Sequence, residues 1–342
     1  MNSSKKQKTS IKDYIIKVLN GMALGLFSSL IIGLILKQIG TMLNIRILVT
    51  MGQVAQYMMG PAIGAGVAYS VNSPALGIFA SIITGALGAG TIKNIDTQAI
   101  ITIGEPVGAL VASLIGAEVS KIIKGKTKVD IVLVPALTII AGGVAGFYIG
   151  PIVAQIMTWL GQLINLATEQ NRIPMGILVS TLMGIMLTLP ISSAALAISL
   201  GLSGVAAGAA TVGCASQMVG FAVASFRENG IGGLVSQGLG TSMLQIPNII
   251  RNPRIWIPPI ITSAILGPIS TKVFEMENNK LGAGMGTSGL VGQFATLETM
   301  GNKGIIGIIL LHFLLPAVIT LVISEIMRRY DWIKKGDMKI KG

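Results

Sequence analysis

Gly238-Leu239-Gly240-Thr241-Ser242-Met243-Leu244 and Gly284-Met285-Gly286-Thr287-Ser288-Gly289-Leu290 are two copies of one Gly-x-Gly-Thr-Ser pattern, each set in apolar sequence. Glycines followed by hydroxyl residues interrupt a helix. Non-helical backbone at membrane depth is tolerated only where protein buries it or a wet cavity borders it. Two such interruptions predict two re-entrant hairpins, near 229–247 and 282–300, bordering a cavity for a polar solute. The offset between the copies is too short for a repeated domain and reads as a duplicated hairpin device.

The rest of the chain sets the solvent. Hydrophobic residues are 52% and charged residues 11%, whereas a soluble domain has about one quarter charged residues. Mean hydropathy is +0.77. The 44 glycines fit transmembrane helices whose backbones approach closely. Cys214 is the single cysteine, which excludes a disulfide framework within one chain. The net charge of +12 reads as cytoplasmic anchoring against anionic lipid rather than as a nucleic-acid surface. The basic start, 1–18, has no cleavage pattern and reads as a cytoplasmic terminus.

About 20 apolar residues cross the hydrocarbon core as a helix. The pattern predicts ten spans, near 19–36, 47–69, 75–92, 99–120, 129–149, 151–167, 174–199, 203–225, 255–273 and 305–326. Ten crossings place both termini on one side. The segments then assigned inside carry most of the 25 Lys and Arg, including Lys121, Lys124, Lys126, Lys128, Arg172, Arg227, Arg251, Arg254 and the tail 328–342. This agrees with the positive-inside rule. The basic loop Lys121–Lys128 separates a first helical subdomain, 19–128, from a second, 129–327.

Polar residues inside apolar spans are costly, so each is a candidate for function. Glu298, after the second motif, is the leading candidate for a substrate-binding carboxylate. Glu105, in Gly104-Glu105-Pro106, can bind solute hydroxyls or a proton, or simply favour a helix start. Thr241, Ser242, Gln245 and Asn248 cluster at a Pro-interrupted helix end. Gln217 in the eighth span, and Thr287, Ser288 and Gln293 of the second hairpin, complete a set able to read a neutral polyol. Glu118 reads as an interface residue, and Glu169 and Arg172 as a pair on one helix end. The Pro190-Ile191-Ser192-Ser193 run reads as a bend. His312 and Cys214 read as packed side chains. The chain has no phosphate-binding loop and no metal-ligand cluster, and no cofactor is expected.

Longer runs carry a resemblance. Thr188-Leu189-Pro190-Ile191-Ser192-Ser193-Ala194-Ala195-Leu196-Ala197-Ile198 is one. Met218 to Val223 followed by Ser225-Phe226-Arg227-Glu228-Asn229-Gly230 is a second. Gly238 to Ile250 followed by Arg251-Asn252-Pro253-Arg254-Ile255-Trp256-Ile257-Pro258-Pro259 is a third. These resemble EIIC-type membrane proteins of the bacterial phosphotransferase system, in the branch that includes perfringolysin regulator-like proteins. The resemblance implies a homodimeric permease in which two re-entrant hairpins and a carboxylate, here Glu298, hold a sugar. A separate EIIB protein with its EIIA donor would then phosphorylate the sugar. The alternatives are a membrane regulator that senses a ligand without transport, and an ion-coupled carrier in which Glu105 and Glu298 titrate.

Overall fold

The computed structural model describes residues 10–95 and 98–340, so part of the basic start and the last two residues lie outside the described residues. Helix α1 (Ile11–Leu26) runs through a π turn (Phe27–Ile31) into α2 (Ile32–Met42) without a break. The chain reverses and returns as α3 (Arg46–Tyr57) and α4 (Met59–Ser70). Glycines set the spacing of this pair. A Cβ on Gly21 would lie 2.3 Å from the Gly66 carbonyl oxygen, and one on Gly33 would lie 2.6 Å from that of Gly52.

Helix α5 (Ala75–Ala89) leads to a hairpin of β1 (Ile92–Ile95) and β2 (Gln98–Ile101), which pair antiparallel. A helix was expected from residue 99. Strand β2 occupies that start instead, and α6 (Pro106–Ile123) begins where Pro106 has no N–H to satisfy. The fold is otherwise helical.

Helix α7 (Asp130–Thr168) has 39 residues and no interruption. Two spans with a turn near 150 were expected. One continuous helix about 58 Å long stands in place of the two. Its first half packs through Gly142 on Thr84 and Ala112, and its second half through Gly161 on Leu200. Helix α8 (Arg172–Thr188) and short α9 (Ser193–Ser199) replace the expected single span at 174–199. Pro190 removes one N–H, and Ser192 caps α9 by accepting from Ala195 N at 3.2 Å.

Helix α10 (Gly204–Ala224) is the central strut, with nearly every side chain buried. Helix α11 (Phe226–Val235), a π turn, a 3-10 turn and α12 (Ile246–Arg251) make a helix-break-helix hairpin over the first motif. Helix α13 (Ile257–Pro268) follows. Residues 274–290 carry the second motif into α14 (Val291–Met300). Helix α15 (Gly304–Gly307), a long π segment and α16 (Leu315–Arg329) close the fold.

Among the described residues, five helical stretches are long and apolar enough to cross a membrane alone. Contacts between helix ends define two poles. At the basic pole, Lys12 donates to Arg251 O at 3.1 Å, Lys121 to Val71 O at 3.2 Å and Arg328 to Ala224 O at 3.2 Å. At the other pole Thr271 donates to Arg172 O at 2.6 Å. Arg172 pairs with Glu275 there, and not with Glu169 as expected.

Candidate functional site

The two Gly-Thr-Ser motifs meet tip to tip. Thr287 donates its hydroxyl to Gly238 O at 2.5 Å, and Ser288 donates to Gly240 O at 2.5 Å. Thr241, Ser242, Thr287 and Ser288 are all buried, so this contact lies inside the molecule. Gly286 has φ +52°, and a Cβ there would lie 2.7 Å from the backbone of Cys214 on α10. The positive φ and the lack of space both select glycine. Ser193 at the start of α9 donates to Gly284 O at 2.7 Å. The Pro190–Ser193 bend, whose use the sequence left open, therefore cradles the second motif.

A cavity of about 460 Å³ opens beside this contact. Its polar lining includes Gln56, Thr102, Glu105, Ser192, Thr241 and Ser288, and Leu30, Met59 and Ile191 contribute apolar wall. Glu105 is placed by a local device. The helix α5 ends on Gly90 in the left-handed conformation, and Thr102 donates both its N–H to Thr91 O at 2.8 Å and its hydroxyl to Gly90 O at 2.9 Å. Glu105 N then donates to Ala89 O at 2.9 Å. Gly104, with φ +80°, leaves no room for a Cβ, which would sit 2.4 Å from the same carbonyl. The carboxylate thus stands at the N-cap of α6 and faces the cavity. Glu105 is the N-cap residue of α6, without a side-chain capping bond, and is a lining residue of the cavity. Gln56 is 5% exposed and its Nε2 has no hydrogen-bond partner. A buried amide N–H without an acceptor costs about 1–3 kcal/mol, so an acceptor supplied from the cavity would offset that cost.

A family model described as phosphotransferase system, EIIC matches residues 16–340. The chain belongs to that family. No curated protein and no solved structure matches it. Membership makes it the multi-pass membrane permease component of a phosphotransferase system.

Of the residues predicted to form the EIIC site, three line the cavity: Glu105, Thr241 and Ser288. Thr287 and Ser242 lie behind them and fasten the hairpins. Ser242 and Thr188 hydroxyls are 2.8 Å apart, and Thr188 donates to Gln217 Oε1 at 3.2 Å, which also takes Trp256 Nε1–H at 2.9 Å. Gln217 is therefore a buried bridge from α10 to the Trp256 turn, not a wall residue. Gln245 and Asn248 face the C-terminal tail. Gln293 contacts His312, Nε2 to Nδ1, at 3.0 Å.

Glu298 is exposed at the pole opposite the basic one and accepts from Asn279 Nδ2 at 3.2 Å. It does not line the cavity, whereas Glu105 does. The reason is helical phase: Gln293 and Thr296 take the buried face of α14, and Glu298 falls on the outer one. Gln56 was missed, although a glutamine inside the apolar run 47–69 was a legible signal. Ser192 was quoted but given no role. Among the described residues no His, Cys, Asp or Glu group could hold a metal.

Proposed function

We propose that the 460 Å³ cavity binds a sugar or a closely similar polyol, and that this EIIC protein translocates it by alternating access. Glu105 accepts two or more solute hydroxyls, Gln56 donates an amide N–H, and Thr241, Ser192 and Ser288 complete the polar rim. One observation carries the reading: both duplicated motifs, from opposite poles, meet at the same cavity as Glu105. A neutral polyol suits this lining because hydroxyls both donate and accept, and only one formal charge is present among the cavity-lining side chains.

The continuity of α7 and the break after α8 each remove one traverse from the ten expected. Eight remain, an even number, which agrees with the start of α1 and the end of α16 lying at the basic pole and with that pole being cytoplasmic. The hairpins over 226–251 and 274–303 then act as re-entrant elements. The division at 19–128 and 129–327 is kept as a proposal, with α7 as the beam joining the two parts. Phosphorylation is assigned to separate EIIB and EIIA proteins, and the functional unit to a homodimer in the bacterial cell membrane. The perfringolysin regulator-like branch rests on the sequence runs alone.

A thermal-shift screen of the detergent-solubilised protein against sugars, polyols and sugar acids tests the site. A ligand of the native state raises the melting temperature by mass action. The expected result is a hit whose affinity falls about ten- to hundredfold in Glu105→Gln, as for loss of hydrogen bonds to a charged group, and is unchanged in Glu298→Gln. A hit that survives Glu105→Gln unchanged would overturn the assignment. Uptake of the same compound in cells separates a transporter from a sensor.

A further inference from the structure

The tail beyond α16 is not a loose end. Residues 330–340 fold back onto the first hairpin, where Met338 is fully buried and Ile333 is 1% exposed. Both join the core formed by Val18, Leu19, Ile246 and Ile249. The hairpin reads the tail mainly through its backbone. Asn229 Nδ2 donates to Met338 O at 2.9 Å, and Ile340 N donates to Asn229 Oδ1 at 2.8 Å. Glu228 accepts from Met338 N at 2.9 Å. Gln245 Nε2 donates to Met338 O at 3.0 Å, and Asn248 Nδ2 to Lys339 O at 3.1 Å. Asn252 donates to Trp332 O at 3.1 Å.

Side-chain amides that satisfy a short non-helical main chain, beside one deep socket for an apolar residue, are the elements of a peptide-binding groove. The groove and the cavity share the first hairpin, whose Thr241 and Met243 line the cavity. Gln245, which holds Met338, stands four residues after Thr241 and also donates to Gln237 Oε1 at 2.8 Å within the π turn. Lys334, Lys335 and Lys339 point outward and are exposed, so the buried Met338 and the main-chain bonds supply the attachment.

We propose that the hairpin 226–251 carries a peptide-binding groove, filled in cis by residues 332–340, and that this tail is a latch. Seated, it fixes the hairpin whose tip borders the cavity. Released, it frees the hairpin to move. The proposal rests on the cavity reading only for the use made of that motion.

Hydrogen–deuterium exchange on the full-length protein tests it and needs no solute. Met338→Ala empties the socket, and Ile340→Pro removes the N–H donated to Asn229 while leaving Met338 in place. In both variants the amides of 229–245 are expected to exchange about tenfold faster or more, while α5 and α6 stay at wild-type rates, because local opening is read separately from global unfolding. A synthetic peptide of residues 332–342 added to the Met338→Ala protein is expected to slow the hairpin again. No change in the hairpin with Ile340→Pro, or a rise spread over the whole molecule in both variants, would overturn the latch. Failure of the solute screen would leave this result standing, and failure here would leave the cavity standing.

Discussion

At the scale of single residues, the doubled Thr-Ser dipeptide does two jobs. Thr241 and Ser288 border the cavity, whereas Thr287 and Ser242 are spent on fastening the hairpins. The hydroxyl of Thr287 donates to the carbonyl of Gly238. Thr287→Val keeps the shape and removes the donor, which should cost about 1–3 kcal/mol and appear as a lower melting temperature without bound ligand. An unchanged melting point would mean that the Gly238 carbonyl is satisfied some other way. Gln56→Leu removes the unpartnered amide. It should leave stability equal or higher and weaken solute binding, a split visible by running the thermal shift with and without ligand. Sequence alone ranked Glu298 above Glu105 because its place after the second motif and the EIIC resemblance both pointed to it. Which side of α14 Glu298 occupies depends on where that helix begins, and the left-handed Leu290 at φ +61° sets that start.

At the scale of elements, glycine spacing decides how helices dock. A Cβ on Gly213 would lie 1.8 Å from Ser180 O, so α10 and α8 touch backbone to backbone. Gly213→Ala should therefore destabilise by about 1–3 kcal/mol through overpacking. In contrast, Gly232→Ala, where a Cβ meets open space, should leave the melting temperature within error or slightly raised. Melting curves of the two purified variants check the contrast. The apolar runs and the Gly-rich breaks were legible because hydropathy and glycine content report directly on lipid and on close contact. The strand pair at 92–101 was not, since runs of four residues are too short to show either a helical or a strand period. The unbroken α7 was not legible either. Gly150-Pro151 reads as a turn in sequence, yet proline is tolerated in apolar helices when neighbouring structure re-satisfies the freed carbonyl.

At the scale of the whole molecule, the basic residues and the contacts between helix ends agree on one pole. In a Cys214→Ala background, cysteines placed at Lys126 and Lys335 should react with a membrane-impermeant thiol reagent from one face of the membrane. Cysteines at Lys280 and Lys303 should react only from the other. Labelling of all four from one face would refute the arrangement. The sequence by itself determined the solvent, the helical class, the two broken segments, the EIIC resemblance and the polarity of charge, because each follows from local composition or from a contiguous run. Only the tertiary structure decided which polar residues share a wall. Glu105, Gln56, Ser192, Thr241 and Ser288 are separated by up to hundreds of positions, and their convergence depends on helix phase and docking angle. It likewise decided that Gln245 and Asn248 hold the tail, since a side-chain amide is equally able to bind a sugar hydroxyl or a peptide carbonyl until the fold supplies one of them.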